Sequence, residues 1–324
     1  MRFATLPDGT RDGRLHLVSR DNSRCTPTTG VQTLLALMED WDAHAPALET
    51  QYAALNDAGG TAFDPATALA PLPRSWQWLD GSAYDSHGDL MQKVFGLDPN
   101  PKGRPLMYQG MSHCFYGASA DIPLPSEADG IDFEGEFGVI CDAVPMGTSA
   151  AAAAAHIRLI VQINDWSLRT LAPIEMKTGF GWVQAKPACS VAPVALTPDE
   201  LGAGWRDARV DLPLHVALNG TAFGAAEGYD MSYGFDDLLA HAARSRDLVS
   251  GTILGSGTVS NANYREVGSS CMAERRAIEL LDTGAPVTPF LAFGDRVRME
   301  CRGRDGAPLF GALDQSVVQA GRQD

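Results

Sequence analysis

The 324-residue sequence has few cysteines and lacks the patterns that would give them a structural role. Its six cysteines are scattered, without a C-x-x-C pair, which argues against a disulfide framework and against a zinc site built on paired thiolates. No run reaches the ~18 apolar residues of a membrane-spanning helix. The first residues also lack the apolar segment of a signal peptide. We therefore expect a cytoplasmic protein with reduced thiols.

Basic residues are also scarce. The chain has 25 Lys and Arg against 40 Asp and Glu, a formal net charge of −15. This balance disfavours non-specific binding to nucleic acid or to an anionic membrane, both of which need a basic surface. Hydrophobic residues make up 45% of the chain, which is typical of a folded globular protein. The charge balance says little about a small-molecule substrate, because a metal or a local Lys and Arg pair can still form an anion pocket.

The chain divides into a small N-terminal domain, residues 1–73, and a larger domain, residues 74–324. Residues 1–20 contain two short apolar runs around Asp-Gly turn signals, which predict a β-hairpin. A helical pattern follows over 30–55, and the Gly, Ala and Pro residues of 56–75 suit a linker. Many short strands and few long helices after that predict a β-rich α+β protein.

The acidic stretch at 132–136, D-F-E-G-E, suggests a metal site. On a strand, Glu134 and Glu136 face the same way, about 7 Å apart, and repel each other. A cation, a Lys or Arg partner or a shared proton relieves such repulsion, unless the strand face is simply exposed to water. Asp165, which follows a predicted buried strand, and Asp80 bring the number of candidate carboxylates to four. This donor set suits a divalent metal, with Mg²⁺ expected and Ca²⁺ or Mn²⁺ as alternatives.

The motifs and their order resemble those of the fumarylacetoacetate hydrolase family. The resemblance covers the whole chain and is strongest over residues 75–315. Asp80 and His87 keep the seven-residue spacing of that family's Asp ligand and catalytic His. The other segments that carry the resemblance are D-F-E-G-E (132–136), N-D-W-S-L-R (164–169), the lysine Lys186 after a Gly-rich loop, G-T (257–258), G-S-S-C-M-A-E (268–274) and Y-Q-G (108–110).

The resemblance implies a fold, an activity and a role for each matching residue. The fold is a mixed β-roll beside the small N-terminal domain, assembled as a homodimer. The activity is metal-dependent hydrolysis of a carbon–carbon bond in a β-diketo acid such as fumarylacetoacetate, in aromatic-compound catabolism. The implied roles are metal ligation by Glu134, Glu136, Asp165 and Asp80, general base catalysis by His87, orientation of that base by Glu274, stabilisation of negative charge by Arg169 and Lys186, and substrate contact by Tyr108 and Thr258.

Three positions depart from the pattern of the fumarylacetoacetases. Ala172 replaces a Gln, Met176 replaces a Tyr, and Ser82 replaces an aromatic residue. These departures bear on the substrate more than on the carbon–carbon chemistry. An alternative function keeps the metal and the enolate but makes the protein a decarboxylase, hydratase or isomerase of a keto acid. A His87–Glu274 pair favours hydrolysis, because decarboxylation needs no attacking water. A metal-stabilised binding protein without activity is a third alternative, opposed by the occupation of every catalytic position.

Overall fold

The structure is a computed structural model that describes residues 1–96 and 103–321. Parts of the predicted larger domain, at 97–102 and 322–324, lie outside the described residues. The strands are β1 (Arg2–Leu6), β2 (Arg14–Val18), β3 (Arg24–Pro27), β4 (Thr61–Ala62), β5 (Trp78–Ser82), β6 (Leu106–Gly110), β7 (Ile122–Leu124), β8 (Ile131–Asp132), β9 (Gly135–Cys141), β10 (Ile157–Asn164), β11 (Ser167–Leu168), β12 (Ser190–Val191), β13 (Ala195–Leu196), β14 (Trp205–Arg206), β15 (Arg209–Val210), β16 (Pro213–Leu218), β17 (Thr221–Glu227), β18 (Thr252–Gly255), β19 (Arg296–Arg302) and β20 (Pro308–Gln319).

The helices are short apart from α2 and α8. They are α1 (Leu34–Glu39), α2 (Trp41–Ala58), α3 (Asp85–Phe95), α4 (Ala150–Ala153), α5 (Ala172–Met176), α6 (Phe235–Ala242), α7 (Tyr264–Val267) and α8 (Met272–Thr283). The β-rich α+β class predicted from the sequence is confirmed. Among the described residues, no helix combines the length and the apolar character needed to cross a membrane.

Two sheets form the framework. The larger has 11 strands in the order β4-β3-β2-β1-β13-β10-β9-β18-β5-β6, with β12 pairing β10. The second has five strands in the order β17-β16-β19-β20-β7. The predicted hairpin is present as β1 and β2, which pair antiparallel with Phe3 opposite Leu17. The N-terminal strands continue the larger sheet through the β1–β13 pairing.

The core lies on both faces of the larger sheet, because successive side chains on a strand point to opposite faces. Phe137 and Val139 of β9 pack in one cluster with Leu214 and Met299 of the five-stranded sheet. Ile140 of β9 belongs to the other cluster, with Leu48 of α2. By this alternation Glu136 shares the face of Ile140. Its carboxylate is therefore directed into the protein interior.

The predicted strand at 131–140 is interrupted. Asp132 ends β8, Gly135 begins β9, and Glu134 between them forms an isolated bridge with Cys271. Pairing resumes at Glu134, whose backbone carbonyl accepts the N–H of Asp165 at 2.9 Å, and continues where Gly135 lies opposite Asn164. The break at Phe133 precedes both glutamates, and residues 134–136 remain consecutive and paired.

Candidate active site

Three buried carboxylates meet at one end of the larger sheet. One oxygen each of Asp80, Glu136 and Asp165 lies within 4.8 Å of the others. Asp80 is in β5, Glu136 is in β9, and Asp165 follows β10 directly. In the sheet, β10 lies beside β9, and β18 lies between β9 and β5. The sheet order therefore brings together residues separated by up to 85 positions in the chain.

Gly255, at the end of the intervening strand β18, leaves space for the carboxylates. A Cβ atom at this position would lie 2.5 Å from Oδ1 of Asp80 and 2.9 Å from Oε2 of Glu136. Any side chain here would displace the two acidic groups. Glycine at this position is thus a steric requirement of the carboxylate cluster.

The cluster of Asp80, Glu136 and Asp165 contains negative groups and no positive group. Burial, together with the neighbouring carboxylates, raises the pKa of Asp80 and of Glu136 well above their ordinary values. Both oxygens of Glu136 are buried and receive no hydrogen bond from the described residues. Buried carboxylates in this position need a proton or a cation. Since all three donors are carboxylate oxygens, the cluster fits a hard divalent cation.

Glu134 lies outside this cluster and is neutralised by side chains. Its Oε1 is 2.7 Å from Nζ of Lys186 and 2.9 Å from a guanidinium nitrogen of Arg169, and it accepts a 2.5 Å hydrogen bond from Ser167. Thr258 donates to its Oε2 at 2.7 Å. Burial alone would raise the pKa of Glu134, but the two cations hold it below its ordinary value. The charge of Glu134 is thus relieved by a Lys and Arg pair, one of the alternatives open from the sequence.

Lys186 connects Glu134 to the carboxylate cluster. Besides Glu134, its ammonium group donates to Oδ2 of Asp165 at 2.6 Å. The same oxygen accepts a 2.6 Å hydrogen bond from the hydroxyl of Tyr108, and Cys189 donates to Oδ1 at 2.9 Å. Burial opposes the charge on Lys186, but Asp165 and Glu134 raise its pKa. Asp165 is therefore held by donors on both oxygens.

His87 and Glu274 form a hydrogen-bonded pair. Nδ1 of His87, in the first turn of α3, lies 2.8 Å from Oε2 of Glu274 in the first turn of α8. The His87 side chain is 18% exposed, whereas Glu274 is fully buried. Ser260 donates to the second Glu274 oxygen at 3.2 Å. Cys271 lies close to this pair, but burial raises the pKa of its thiol and favours the neutral form.

Asp132 positions the helix that carries Glu274. Its two oxygens accept the backbone N–H groups of Met272 and Ala273 at 2.7 and 2.9 Å, at the N-terminus of α8. Arg169 donates to the same carboxylate at 2.7 Å. A carboxylate at a helix N-terminus satisfies free N–H groups and complements the helix dipole. Asp132 belongs to the acidic stretch at 132–136, but no local pattern predicted this role for it.

The segment at 257–260 joins the two parts of the site. The N–H of Gly257 donates to Asp80 at 3.2 Å, Thr258 donates to Glu134, and Ser260 donates to Glu274. The ten residues singled out from the sequence therefore lie in one connected set. Ser167, Cys189 and Ser260 were not predicted to be supporting donors, although Ser167 belongs to the N-D-W-S-L-R segment, because a local pattern does not reveal a partner that is distant in the chain. Trp182, whose ring lies edge-on to Tyr108, was not predicted for the same reason.

The chain matches two known family models along nearly its whole length. The family described as fumarylacetoacetate (FAA) hydrolase C-terminal matches residues 77–318. The fumarylacetoacetase N-terminal domain 2 matches residues 1–74. The chain belongs to the fumarylacetoacetate hydrolase family.

Individual relatives are distant. A 2,4-didehydro-3-deoxy-L-rhamnonate hydrolase from Sphingomonas sp. (strain SKA58) is 26% identical over 157 residues, 48% of this chain and 52% of that protein. The match thus spans about half the length of the curated relative. A maleylpyruvate hydrolase from Sphingobium sp. SYK-6, in complex with manganese(II) and pyruvate, is 16% identical with a TM-score of 0.67, covering 99% of this chain and 100% of that one.

A 2-hydroxyhepta-2,4-diene-1,7-dioate isomerase from Mycobacterium marinum is 18% identical with a TM-score of 0.62, again over 99% and 100% of the two chains. At these identities the two solved structures share the fold with this protein. The fold is therefore compatible with both hydrolases and isomerases, and the choice of reaction depends on the site.

Proposed function

We propose that this protein is a metal-dependent hydrolase that cleaves the carbon–carbon bond between two carbonyl groups of a diketo acid. The observation that carries the proposal is the 2.8 Å pairing of His87 with the buried Glu274, connected through 257–260 to the carboxylate cluster. The name of the Sphingomonas relative describes a sugar acid with carbonyls at positions 2 and 4. Such a 1,3-dicarbonyl unit is the feature expected in the substrate.

Asp80, Glu136 and Asp165 would hold the divalent cation. Mg²⁺ is expected, and the manganese in the maleylpyruvate hydrolase complex supports Mn²⁺ as a second candidate. When bound, the cation supplies Lewis-acid polarisation of the substrate oxygens. Glu134, predicted as a further ligand, engages Lys186 and Arg169 in this structure.

His87 is the base that removes a proton from the attacking water. Because Glu274 engages Nδ1, that nitrogen carries the hydrogen and the lone pair resides on Nε2. Nε2 therefore accepts the water proton, and the buried Glu274 carboxylate stabilises the resulting imidazolium. A decarboxylation would have no use for this pair.

The bond cleavage then proceeds in two stages. In the first, the water oxygen bonds to the carbonyl carbon as the π-electron pair of the C=O bond moves onto the carbonyl oxygen. In the second, that pair re-forms the C=O bond of a carboxylic acid, and the electron pair of the carbon–carbon bond passes to the leaving fragment. That charge spreads onto the neighbouring carbonyl oxygen as an enolate, and the proton held by His87 returns to carbon. The cationic groups of Lys186 and Arg169 are suited to stabilise the negative charge that develops.

A panel of diketo and keto acids tests the proposal, with product identification by mass spectrometry in the presence of Mg²⁺ or Mn²⁺. Hydrolysis should give two acids whose summed composition equals substrate plus one water. Loss of carbon dioxide, or a product isomeric with the substrate, would overturn the hydrolase assignment in favour of decarboxylation or isomerisation.

A further inference from the structure

Ser86, the residue before the candidate base, connects back to the partner of that base. Its Oγ lies 3.0 Å from Oγ of Ser260, which in turn lies 3.2 Å from Oε1 of Glu274. The other Glu274 oxygen, Oε2, lies 2.8 Å from Nδ1 of His87. Since Ser86 and His87 are consecutive in α3, the three hydrogen bonds and the backbone form a closed ring. This ring joins the first turns of α3 and α8 through the segment at 257–260.

The direction of each hydrogen bond in this ring follows from the groups involved. The Glu274 carboxylate accepts, so the single hydroxyl hydrogen of Ser260 is directed to it. Ser260 can then only accept from Ser86, whose hydroxyl is therefore the donor. Successive hydrogen bonds polarise one another, so donation by Ser86 strengthens the bond from Ser260 to Glu274. Ser86 thus acts on Glu274 without touching it.

The Glu274 carboxylate depends on these donors. Within the described part of the chain, its hydrogen bonds come from His87 and Ser260, and no Lys or Arg forms an ion pair with it. Both Ser260 and Glu274 are fully buried, so bulk water does not replace a lost donor. An acceptor left unpaired in the interior is costly. The hydroxyl bonded to Oε1 therefore helps to hold the carboxylate with Oε2 directed at His87.

The two helices also pack against each other beyond the ring. Leu90 of α3 lies in one apolar cluster with Ala277 and Ile278 of α8. This cluster holds the helices together without any hydroxyl group. Loss of the Ser86 hydroxyl should therefore leave the fold intact and change the ring alone.

We propose that Ser86 is a positioning residue, which acts through Ser260 to hold the Glu274 carboxylate in the orientation that the base His87 requires. The inference rests on the proposed function and assigns a further residue to the support of its base. Because Ser86 acts through other residues, its hydroxyl contributes to kcat and not to substrate or metal affinity.

Ser86→Ala should lower kcat for diketo-acid hydrolysis about 3- to 10-fold, the range expected for one hydrogen bond. KM and the affinity for Mg²⁺ should both stay within about twofold of the wild type. Ser86→Thr keeps the hydroxyl and should retain more than about half of the wild-type kcat. The matched control is Ser232→Ala, which removes a hydroxyl that accepts the N–H of Asp85 in the same turn of α3 at 3.4 Å. This control should leave kcat unchanged, and a kcat of Ser86→Ala equal to the wild type would overturn the inference.

A double-mutant cycle separates positioning of the base from a general loosening of the fold. Once His87 is replaced with Ala, the orientation of Glu274 no longer serves a base. Adding Ser86→Ala to His87→Ala should therefore change the residual kcat by less than about twofold. Equal fold-losses in the two backgrounds would refute the positioning role, because Ser86 would then act independently of His87.

Proton NMR tests the positioning without any turnover. A hydrogen on Nδ1 that is bound to a carboxylate gives a far-downfield signal, and the His87 signal is assigned by its loss in His87→Ala. Ser86→Ala should shift this signal, whereas that of His156, which is bound to Asp142 at 2.6 Å, should stay in place. An unshifted His87 signal would contradict the inference. A shifted signal in a protein that forms no hydrolysis products would sink the hydrolase proposal and leave the positioning of the pair standing.

Discussion

Thr258 and Ser260 lie two residues apart, and their hydroxyls donate to two different acidic residues of the site. Thr258 donates to Glu134 at 2.7 Å, and Ser260 donates to Glu274 at 3.2 Å. One short segment thus sets the position of the His87–Glu274 pair relative to the charged cluster. A hydrolase needs its base and its substrate-binding groups in a fixed relative position, because the base must deliver water to a substrate held elsewhere in the site.

Replacing His87 with Ala should lower kcat for diketo-acid hydrolysis by about 10²- to 10⁴-fold, the usual contribution of a general base. Steady-state assays at saturating metal measure the effect. His113→Ala is a matched control, because His113 is exposed. A His87→Ala variant with more than about a tenth of wild-type kcat would refute the base assignment.

Removing divalent metal should abolish turnover. Excess EDTA should stop hydrolysis, and added Mg²⁺ or Mn²⁺ should restore it. Glu136→Gln should weaken metal binding, measured by titration calorimetry, by at least about 10-fold because it removes one of three charged ligands. Asp42→Asn controls for a general loss of negative charge, since Asp42 is 89% exposed. Turnover that persists in chelated protein would contradict the metal assignment.

In the metal-free protein, Asp80 and Glu136 should contribute stability that falls as pH rises from 5 to 8, whereas His16 and His241, whose pKa values are lowered by burial, contribute in the opposite direction. Asp80 and Glu136 have pKa values raised above the ordinary 3.8 and 4.5 by burial and by neighbouring carboxylates. The folded state therefore binds their protons more tightly than the unfolded state. That stabilisation is complete below about pH 4 and is lost as pH rises towards the raised pKa values. The lowered pKa of Glu134 acts oppositely, but its contribution is lost only as pH falls below 4.5.

Thermal melts of chelated wild type and Glu136→Gln, recorded across this pH range, measure the effect. The variant should show a flatter pH dependence and a higher melting temperature than the wild type at pH 8, because it has one fewer buried charge. Saturating Mg²⁺ should remove most of the difference between pH 5 and pH 8 in the wild type. Parallel pH curves for the two chelated proteins would disprove this account.

Asp132→Asn should destabilise the fold and impair catalysis together. Asp132 is fully buried and holds Arg169 and two N–H groups of α8. Loss of one member of a buried ion pair lowers the free energy of unfolding by about 3–5 kcal/mol. Since Glu274 lies on the same helix, kcat should also fall.

Chemical denaturation and steady-state kinetics test the Asp132 prediction. Asp282→Asn provides the control, because Asp282 is also in α8 and the substitution breaks an exposed ion pair with Arg265 of α7. Its cost should be at most about 1 kcal/mol. Equal destabilisation by the two substitutions would show that Asp132 is not the support of α8.

Local patterns in the sequence were sufficient for several elements of the fold. Asp-Gly turns between apolar runs predicted the β1–β2 hairpin, because turn chemistry and strand alternation act within a few residues. The helical pattern at 30–55 corresponds to α1 and α2, which are separated at Asp40. Such signals do not reveal which strand will lie beside β1 in the sheet, and its pairing with β13 depends on residues about 190 positions away.

The sequence alone was sufficient to predict the chemical inventory of the site: five carboxylates, a histidine, a lysine, an arginine, a tyrosine and a threonine, in an order that resembles one enzyme family. How their charges are divided became visible only in three dimensions. Glu134 pairs with Lys186 and Arg169, while Glu136 joins Asp80 and Asp165 beside Gly255. The physical reason is that pairing and burial depend on distances between residues far apart in the chain, which no local pattern encodes.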